Sequence, residues 1–275
     1  MVSSMTILVC AIAMAFCLIL PPVLGLIFAR KQKGQRLISA WLLGAAGFFV
    51  TQILIRVPIL TWMQTQSWFT AFSRNYPFLY AFSLAFTAGL FELAGRFGVA
   101  KLMKTGSFHR SLAAGLGHGG IEAMVIAGST YLNNIVYSLM INAGIFDSTL
   151  AEAAALGVDV SQLYAIRDTL LTASPALYLL GVYERLLAMT CHAGMTMVVC
   201  YALHRGKPLQ GAFLCLGIHT LLDLTAGISL MIGTALTQTT AYLIIYTLLT
   251  VAAVLSVGIV LRIRKNWSEM EDNHV

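Results

Sequence analysis

Charge is what this sequence has least of. Only 10% of its 275 residues are Asp, Glu, Lys or Arg, while 59% are apolar. So little charge cannot clothe a water-soluble globule, which excludes an ordinary soluble enzyme or binding module. Acidic residues are scarcer than basic ones, 11 against 17, leaving a net charge of +6. The basic residues are spread along the chain in small groups, so no clustered patch for nucleic acid exists. The five cysteines (Cys10, Cys17, Cys191, Cys200 and Cys215) contain no C-x-x-C pair and lie within apolar runs. That excludes a disulfide framework or zinc knuckle and makes them small packing residues. Cys215, one turn before His219, is the exception that has a ligand within reach. No basic residue precedes the first apolar run, whose charges follow it, so it reads as a span and not a cleaved leader. No clear internal repeat is present, which argues against inverted-repeat transporter architectures.

What the chain does have is long apolar runs. Seven are long enough to cross a bilayer: 6–29, 37–60, 77–100, 111–141, 176–203, 209–233 and 239–261. In lipid each backbone polar group must be paired within its own segment, so these runs are expected to be helices. The expected fold is all-α, a polytopic membrane helical bundle of about seven transmembrane helices. It is read as one integral-membrane domain, 1–275, with the lipid bilayer as its first partner and no nucleic acid.

Basic residues set the expected orientation. One set of connections carries Arg30, Lys31, Lys33 and Arg36; Lys101, Lys104 and Arg110; Arg205 and Lys207; and Arg262, Arg264 and Lys265. The opposite set carries Arg74 and Arg167. The alternation predicts an outside N-terminus and a cytoplasmic C-terminus. Trp62, Trp68 and Tyr76 in segment 61–76 read as an interfacial aromatic belt. The longest connection, 142–175, is expected to hold two short helices, Ser148 to Leu156 and Ser161 to Leu171, the second capped by Asp159 or Ser161. It reads as an outer cap. Pro175 suits the first turn of the fifth span.

The remaining signal is polar residues inside those runs. Glu92, His118, His192 and His219 lie nine, eight, thirteen and twelve residues from Lys101, Arg110, Arg205 and Lys207 respectively. At helical rise these spacings place all four roughly 12–20 Å from one membrane face. Ionisable groups in hydrocarbon are costly and mark functional sites by default. Several at one level suggest a single polar site.

Local spacing adds pairs. Glu92 and Arg96, His118 and Glu122, and His219 and Asp223 are each four apart and share a helix face. Arg185 and His192 are seven apart on one face, with Glu184 turned aside from them. Neighbours i and i+1 do not face each other, so Glu184 and Arg185 are expected to find partners elsewhere, Arg185 at Glu122 or Glu92. Gly115, Gly117, Gly119 and Gly120 surround His118 and invite close approach of another helix or an extended peptide. Asn133 and Asn134 read as helix-packing hydrogen bonders.

Three imidazoles with a free carboxylate meet the needs of catalytic zinc: three ligands, an open position and a general base. In that reading His118, His192 and His219 bind the metal, and Glu122 or Glu92 takes the proton of water. A carboxylate such as Asp223 on a histidine's other nitrogen is the usual supporting partner. The same residues could instead activate water without metal, with Glu as base and His as oxyanion donor. Two other classes fit a buried polar core: a non-catalytic scaffold, and a proton- or ion-coupled transporter.

Taken in order, E-x-x-x-R at Glu92–Arg96, the glycine-flanked His118, His192 and H-x-x-x-D at His219–Asp223 resemble the type II CAAX endopeptidase and bacteriocin-processing superfamily. H-G-G-I-E over His118–Glu122, and Glu184-Arg185 before His192, look most like its bacterial YhfC branch of intramembrane metalloproteases. The resemblance covers roughly 77–230. It implies a bacterial cytoplasmic-membrane peptidase acting on a membrane-associated peptide or protein. By it Glu92 and Arg96 stand for the first motif, His118 for the second, and His219 with Asp223 for the third. Two positions depart from the superfamily pattern. Phe91 replaces the first of two adjacent glutamates, and Ala114 stands where a Phe precedes the second-motif His, so Glu122 becomes the better general base. The superfamily also contains the scaffold subunit of γ-secretase, for which catalysis is not the role.

The site residues expected are therefore Glu122, Glu92 and Arg96 for catalysis; His118, His192 and His219 for metal; and Asp223, Arg185 and Glu184 in support. Zinc is the expected cofactor.

Overall fold

The protein is described here by a computed structural model that defines the backbone of residues 1–31, 36–104, 107–232 and 238–272. Side chains are defined for these residues except 226, 228–232, 238, 239 and 268–272. Lys33 and the end of the sixth expected span lie outside the described residues.

Every regular element among the described residues is helical. In chain order they are α1 (Ser4–Lys31), α2 (Leu37–Phe48), α3 (Val57–Gln64), α4 (Ser67–Asn75), α5 (Pro77–Leu102), α6 (Phe108–Glu122), α7 (Gly128–Asn142), α8 (Phe146–Ala155), α9 (Ser161–Thr172), α10 (Pro175–His204), α11 (Pro208–Ile232) and α12 (Gln238–Asp272). Among the described residues, six stretches are long and apolar enough to cross a membrane: α1, Leu37–Gln64, α5, Phe108–Asn142, α10 and Thr240–Trp267. Helix α11 stands at the remaining expected span.

Two spans are interrupted by wider, π-helical turns. Phe49–Arg56 joins α2 to α3, and Ala123–Ala127 joins α6 to α7. In the first, the Val57 N–H reaches back five residues to the Gln52 carbonyl. Pro58 follows at once and has no N–H to continue the ordinary ladder, which is the local reason for the wider register.

The chain divides into two compact units. One comprises 1–21 and 123–186; the other comprises 22–122 and 187–275. In the first, Cys10, Ala13 and Cys17 pack with Tyr131, whose hydroxyl donates to the Tyr178 carbonyl at 2.7 Å. The connection 142–175 also belongs there. Its two short helices begin and end within two residues of expectation, and Phe146, Leu150 and Val160 bury a small core beneath them. Asp159 Oδ1 accepts the Ser161 N–H at 2.9 Å, so the side chain before the helix, and not Ser161, supplies the turn.

The second unit contains the larger core. Leu37, Ala40, Val99, Ala113, Ala114, Met197 and Trp267 form its centre, with Trp267 stacked on His204 at 4.7 Å. A second cluster joins Leu93, Cys191, Met195, Val199, Cys215 and Ala253. Cys215 thus packs as a small apolar residue.

Helices α2 and α6 approach to backbone contact. A Cβ on Gly117 would stand 1.9 Å from the Trp41 carbonyl oxygen, and one on Gly44 would stand 1.9 Å from the Ala114 carbonyl oxygen. On another face of α6, Gly119 lies against α10, where an added Cβ would meet His192 Cβ at 2.9 Å. The glycines flanking His118 therefore seat it between two helices. One admits α2 and another admits the helix carrying His192.

Candidate metal and catalytic site

Five ionisable side chains from α5, α6, α10 and α11 meet inside the second unit. Glu92, Arg96, His118, His192 and His219 are respectively 3%, 1%, 1%, 6% and 4% exposed. The common point is one atom, Glu92 Oε2. It lies 3.0 Å from Arg96 Nη2, 3.0 Å from His118 Nε2, 3.5 Å from His192 Nδ1 and 3.5 Å from His219 Nδ1. The His118 and His192 rings stack at 5.4 Å, and those of His192 and His219 meet nearly edge-on at 5.6 Å.

Proton positions follow from what each partner can do. A guanidinium only donates, so His192 Nδ1 accepts from Arg96 Nη2 at 2.7 Å. The His192 proton then sits on Nε2, which lies 2.5 Å from Glu122 Oε2. A carboxylate accepts, so His118 Nε2–H donates to Glu92. On His219, Nε2 stands 3.2 Å from Asp223 Oδ2 and carries the proton directed at it. That leaves His219 Nδ1 with a lone pair, buried and without a hydrogen bond, facing Glu92 Oε2.

With a neutral imidazole, two lone pairs face across 3.5 Å, and the positive charge they call for is supplied either by a second proton on His219 or by a bound cation. Glu92, His118 and His192 also offer one ligand atom each within 4.8 Å of one another. In a tetrahedral zinc shell the donor atoms stand about 3.3 Å apart, close to the 3.0 and 3.5 Å found around Glu92 Oε2. The donor set fits a divalent cation. Arg96 is the internal competitor, because its Nη2 takes the His192 Nδ1 lone pair. Its Nε and Nη1 are buried without hydrogen bonds, so the guanidinium is tethered through one nitrogen only.

The pairings differ in part from those that helical spacing suggests. Glu92–Arg96 and His219–Asp223 form within their helices. Glu122 instead reaches across to His192, while His118, on its own helix, turns to Glu92. Glu184 and Arg185 lie in the other compact unit and contact each other. Neighbours i and i+1 can thus pair when two long side chains curl together along a helix surface.

Two residues of the α2–α3 span escaped the sequence reading. Gln52, 5% exposed, donates from Nε2 to Glu92 Oε1 at 2.7 Å. One turn on, Arg56 donates from Nη2 to the Leu84 carbonyl at 2.7 Å. The signal was present as an amide and a guanidinium four apart within the expected span 37–60.

The YhfC intramembrane metalloprotease family matches residues 16–245. The uncharacterized membrane protein YhfC of Bacillus subtilis strain 168 is 30% identical over 229 residues, covering 82% of this chain and 86% of that protein. No solved structure matches. With its long apolar helices, buried Glu/His/His group and match over most of its length, this multi-pass membrane protein belongs to the YhfC intramembrane metalloprotease family.

Proposed function

We propose that this protein is an intramembrane peptidase that hydrolyses a peptide bond in or near the bilayer, with zinc held at the Glu92 focus. The observation that carries the reading is the buried Glu92, His118 and His192 group, whose ligand atoms lie within 4.8 Å of one another, with His219 Nδ1 3.5 Å from the same Glu92 oxygen. The family name and the Glu/His/His donor group support a metal. The motif order, which resembles that of CAAX endopeptidases, supports peptide-bond chemistry.

Glu92, His118 and His192 would hold the ion, His118 giving up the Nε2 proton it directs at Glu92, with His219 Nδ1 turned toward the same point. A divalent metal there supplies Lewis acidity to the peptide carbonyl and to water. Asp223 fixes the His219 tautomer so that its free nitrogen points inward. Gln52 and Arg96 orient the Glu92 carboxylate from two sides. Glu122, with a side chain 17% exposed, stands at the rim and is the general base. For His192 Nδ1 to serve as a ligand, Arg96 turns aside, which its single tether allows. The spacing of these groups from the basic connections supports a site nearer the cytoplasmic face of the membrane, with a membrane-associated peptide or protein as substrate.

The test is metal content by mass spectrometry on detergent-purified protein prepared without chelator. Wild type is expected to carry about one zinc per chain, and His118→Ala and His192→Ala to lose it while remaining folded. A metal-free wild type, or full occupancy in both variants, would overturn the site.

A further inference from the structure

Beside the site lies a cavity of about 430 Å³ that the chemistry above does not use. Its walls include Pro77, Ala81, Ala85 and Ala88 of α5, Asp223 of α11, and Arg56. Along α5 it runs from the first residue of the helix to one turn short of Glu92. Asp223 joins it to the site, since the same carboxylate holds His219. Small side chains on α5 leave the room, and Arg56 supplies the positive charge.

Arg56 is partly buried in a membrane-spanning stretch, where a cation needs a counterpart. The groups it bonds are neutral: the Leu84 carbonyl at 2.7 Å, and Thr87 Oγ1 and Gln52 Oε1 at 3.4 Å. Among the described residues no carboxylate pairs with it within 4.0 Å; Asp223, on the same cavity wall, and Glu92 act on it only at longer range. Arg56 Nη2 is held firmly by Leu84, while Nε and Nη1 are engaged only at 3.4 Å, and a planar guanidinium with such donors on a cavity wall suits a carboxylate. Arg56 also bonds Gln52 Oε1, and Gln52 in turn bonds Glu92 Oε1. An anion on Arg56 would thus be felt two hydrogen bonds away at the carboxylate where the histidines meet.

We propose that this cavity is a substrate subsite in which Arg56 binds a carboxylate of the peptide, either its C-terminus or an acidic side chain. The proposal rests on the peptidase reading for the ligand being a peptide. It does not require cleavage to be observed.

The experiment measures binding to the full-length, detergent-purified protein. The probes are N-acetyl-Leu-Ala-Leu as the free acid, the same peptide as its C-terminal amide, and N-acetyl-Leu-Glu-Leu amide. Each is titrated into wild type, Arg56→Lys and Arg56→Gln, with thermal unfolding as the check on folding. Either the free acid or the Glu-containing amide is expected to bind about 10- to 100-fold tighter than the uncharged amide. Which one does so identifies the source of the carboxylate. The preference should shrink in Arg56→Lys, which keeps charge without the fork, and vanish in Arg56→Gln.

Equal binding of all three probes to wild type overturns the proposal without needing any variant. An undiminished preference in folded Arg56→Gln also overturns it. Cleavage is scored separately. Carboxylate preference without hydrolysis counts against the peptidase reading alone, and hydrolysis without the preference counts against the subsite alone.

Discussion

Replacing Glu92 by Gln keeps the shape of the side chain and removes its charge. In the native protein Oε2 accepts from Arg96 and His118 at 3.0 Å each, and Oε1 accepts from Gln52 at 2.7 Å. At 3.0 Å and an effective dielectric near 20, the Glu92–Arg96 attraction is about 5 kcal/mol. Breaking a buried pair by removing one partner typically costs about 3–5 kcal/mol, because the other charge is left uncompensated. The new amide also places an N–H₂ against donors that the carboxylate accepted, Gln52 Nε2 or His118 Nε2–H. Glu92→Gln should therefore lose about 3–5 kcal/mol of stability. Adding Arg96→Met removes the stranded guanidinium and should restore most of it. Equilibrium unfolding in mixed micelles, on chelator-washed protein so that metal linkage does not contribute, gives all four corners of the cycle. A loss below about 1 kcal/mol, unchanged in the Arg96→Met background, would refute the claim that these charges hold each other.

Three further outcomes follow from the packing and the surface. Gly117→Ala should cost about 3 kcal/mol, because its Cβ would meet backbone at 1.9 Å, whereas Gly98→Ala meets nothing within 4 Å and should be neutral or gain up to about 1 kcal/mol. Thermal unfolding that ranks them in the opposite order would contradict the α2–α6 contact. Arg167→Ala removes ion pairs to Asp147 and Asp168, whose side chains are 65% and 69% exposed, and should change stability by less than about 1 kcal/mol; a larger fall in the same measurement would mean the pairs are screened from water. The Ser161 N–H holds the exposed Asp159 carboxyl below its ordinary value. A depressed native pKa means this hydrogen bond's contribution is fully present above about pH 4 and fades as pH falls through the native value. Hydrogen exchange at the Ser161 amide should accelerate over that window, relative to the intrinsic rate, and a flat profile would rule the bond out.

Much of the site was legible in the sequence because helical geometry is local. A spacing of four puts Glu92 beside Arg96 and His219 beside Asp223 whatever surrounds them, and both contacts form. The shared depth of the four groups also follows from counting residues along straight helices from basic ends. Spacing on a face does not say which way a side chain turns once another helix arrives. Glu122 therefore reaches His192 on α10, while its helix-mate His118 turns to Glu92.

By itself the sequence determined the all-α class, six stretches long and apolar enough to cross a membrane, and the pairs Glu92–Arg96 and His219–Asp223, since apolar length and helical period act within single segments. Only the tertiary structure decided that three imidazoles close on one oxygen of Glu92, because the glycines of α6 set which helices touch and how closely. Only it brought Gln52 to that carboxylate and set Arg56 on a cavity wall, since partners forty residues apart are joined by packing and not by period.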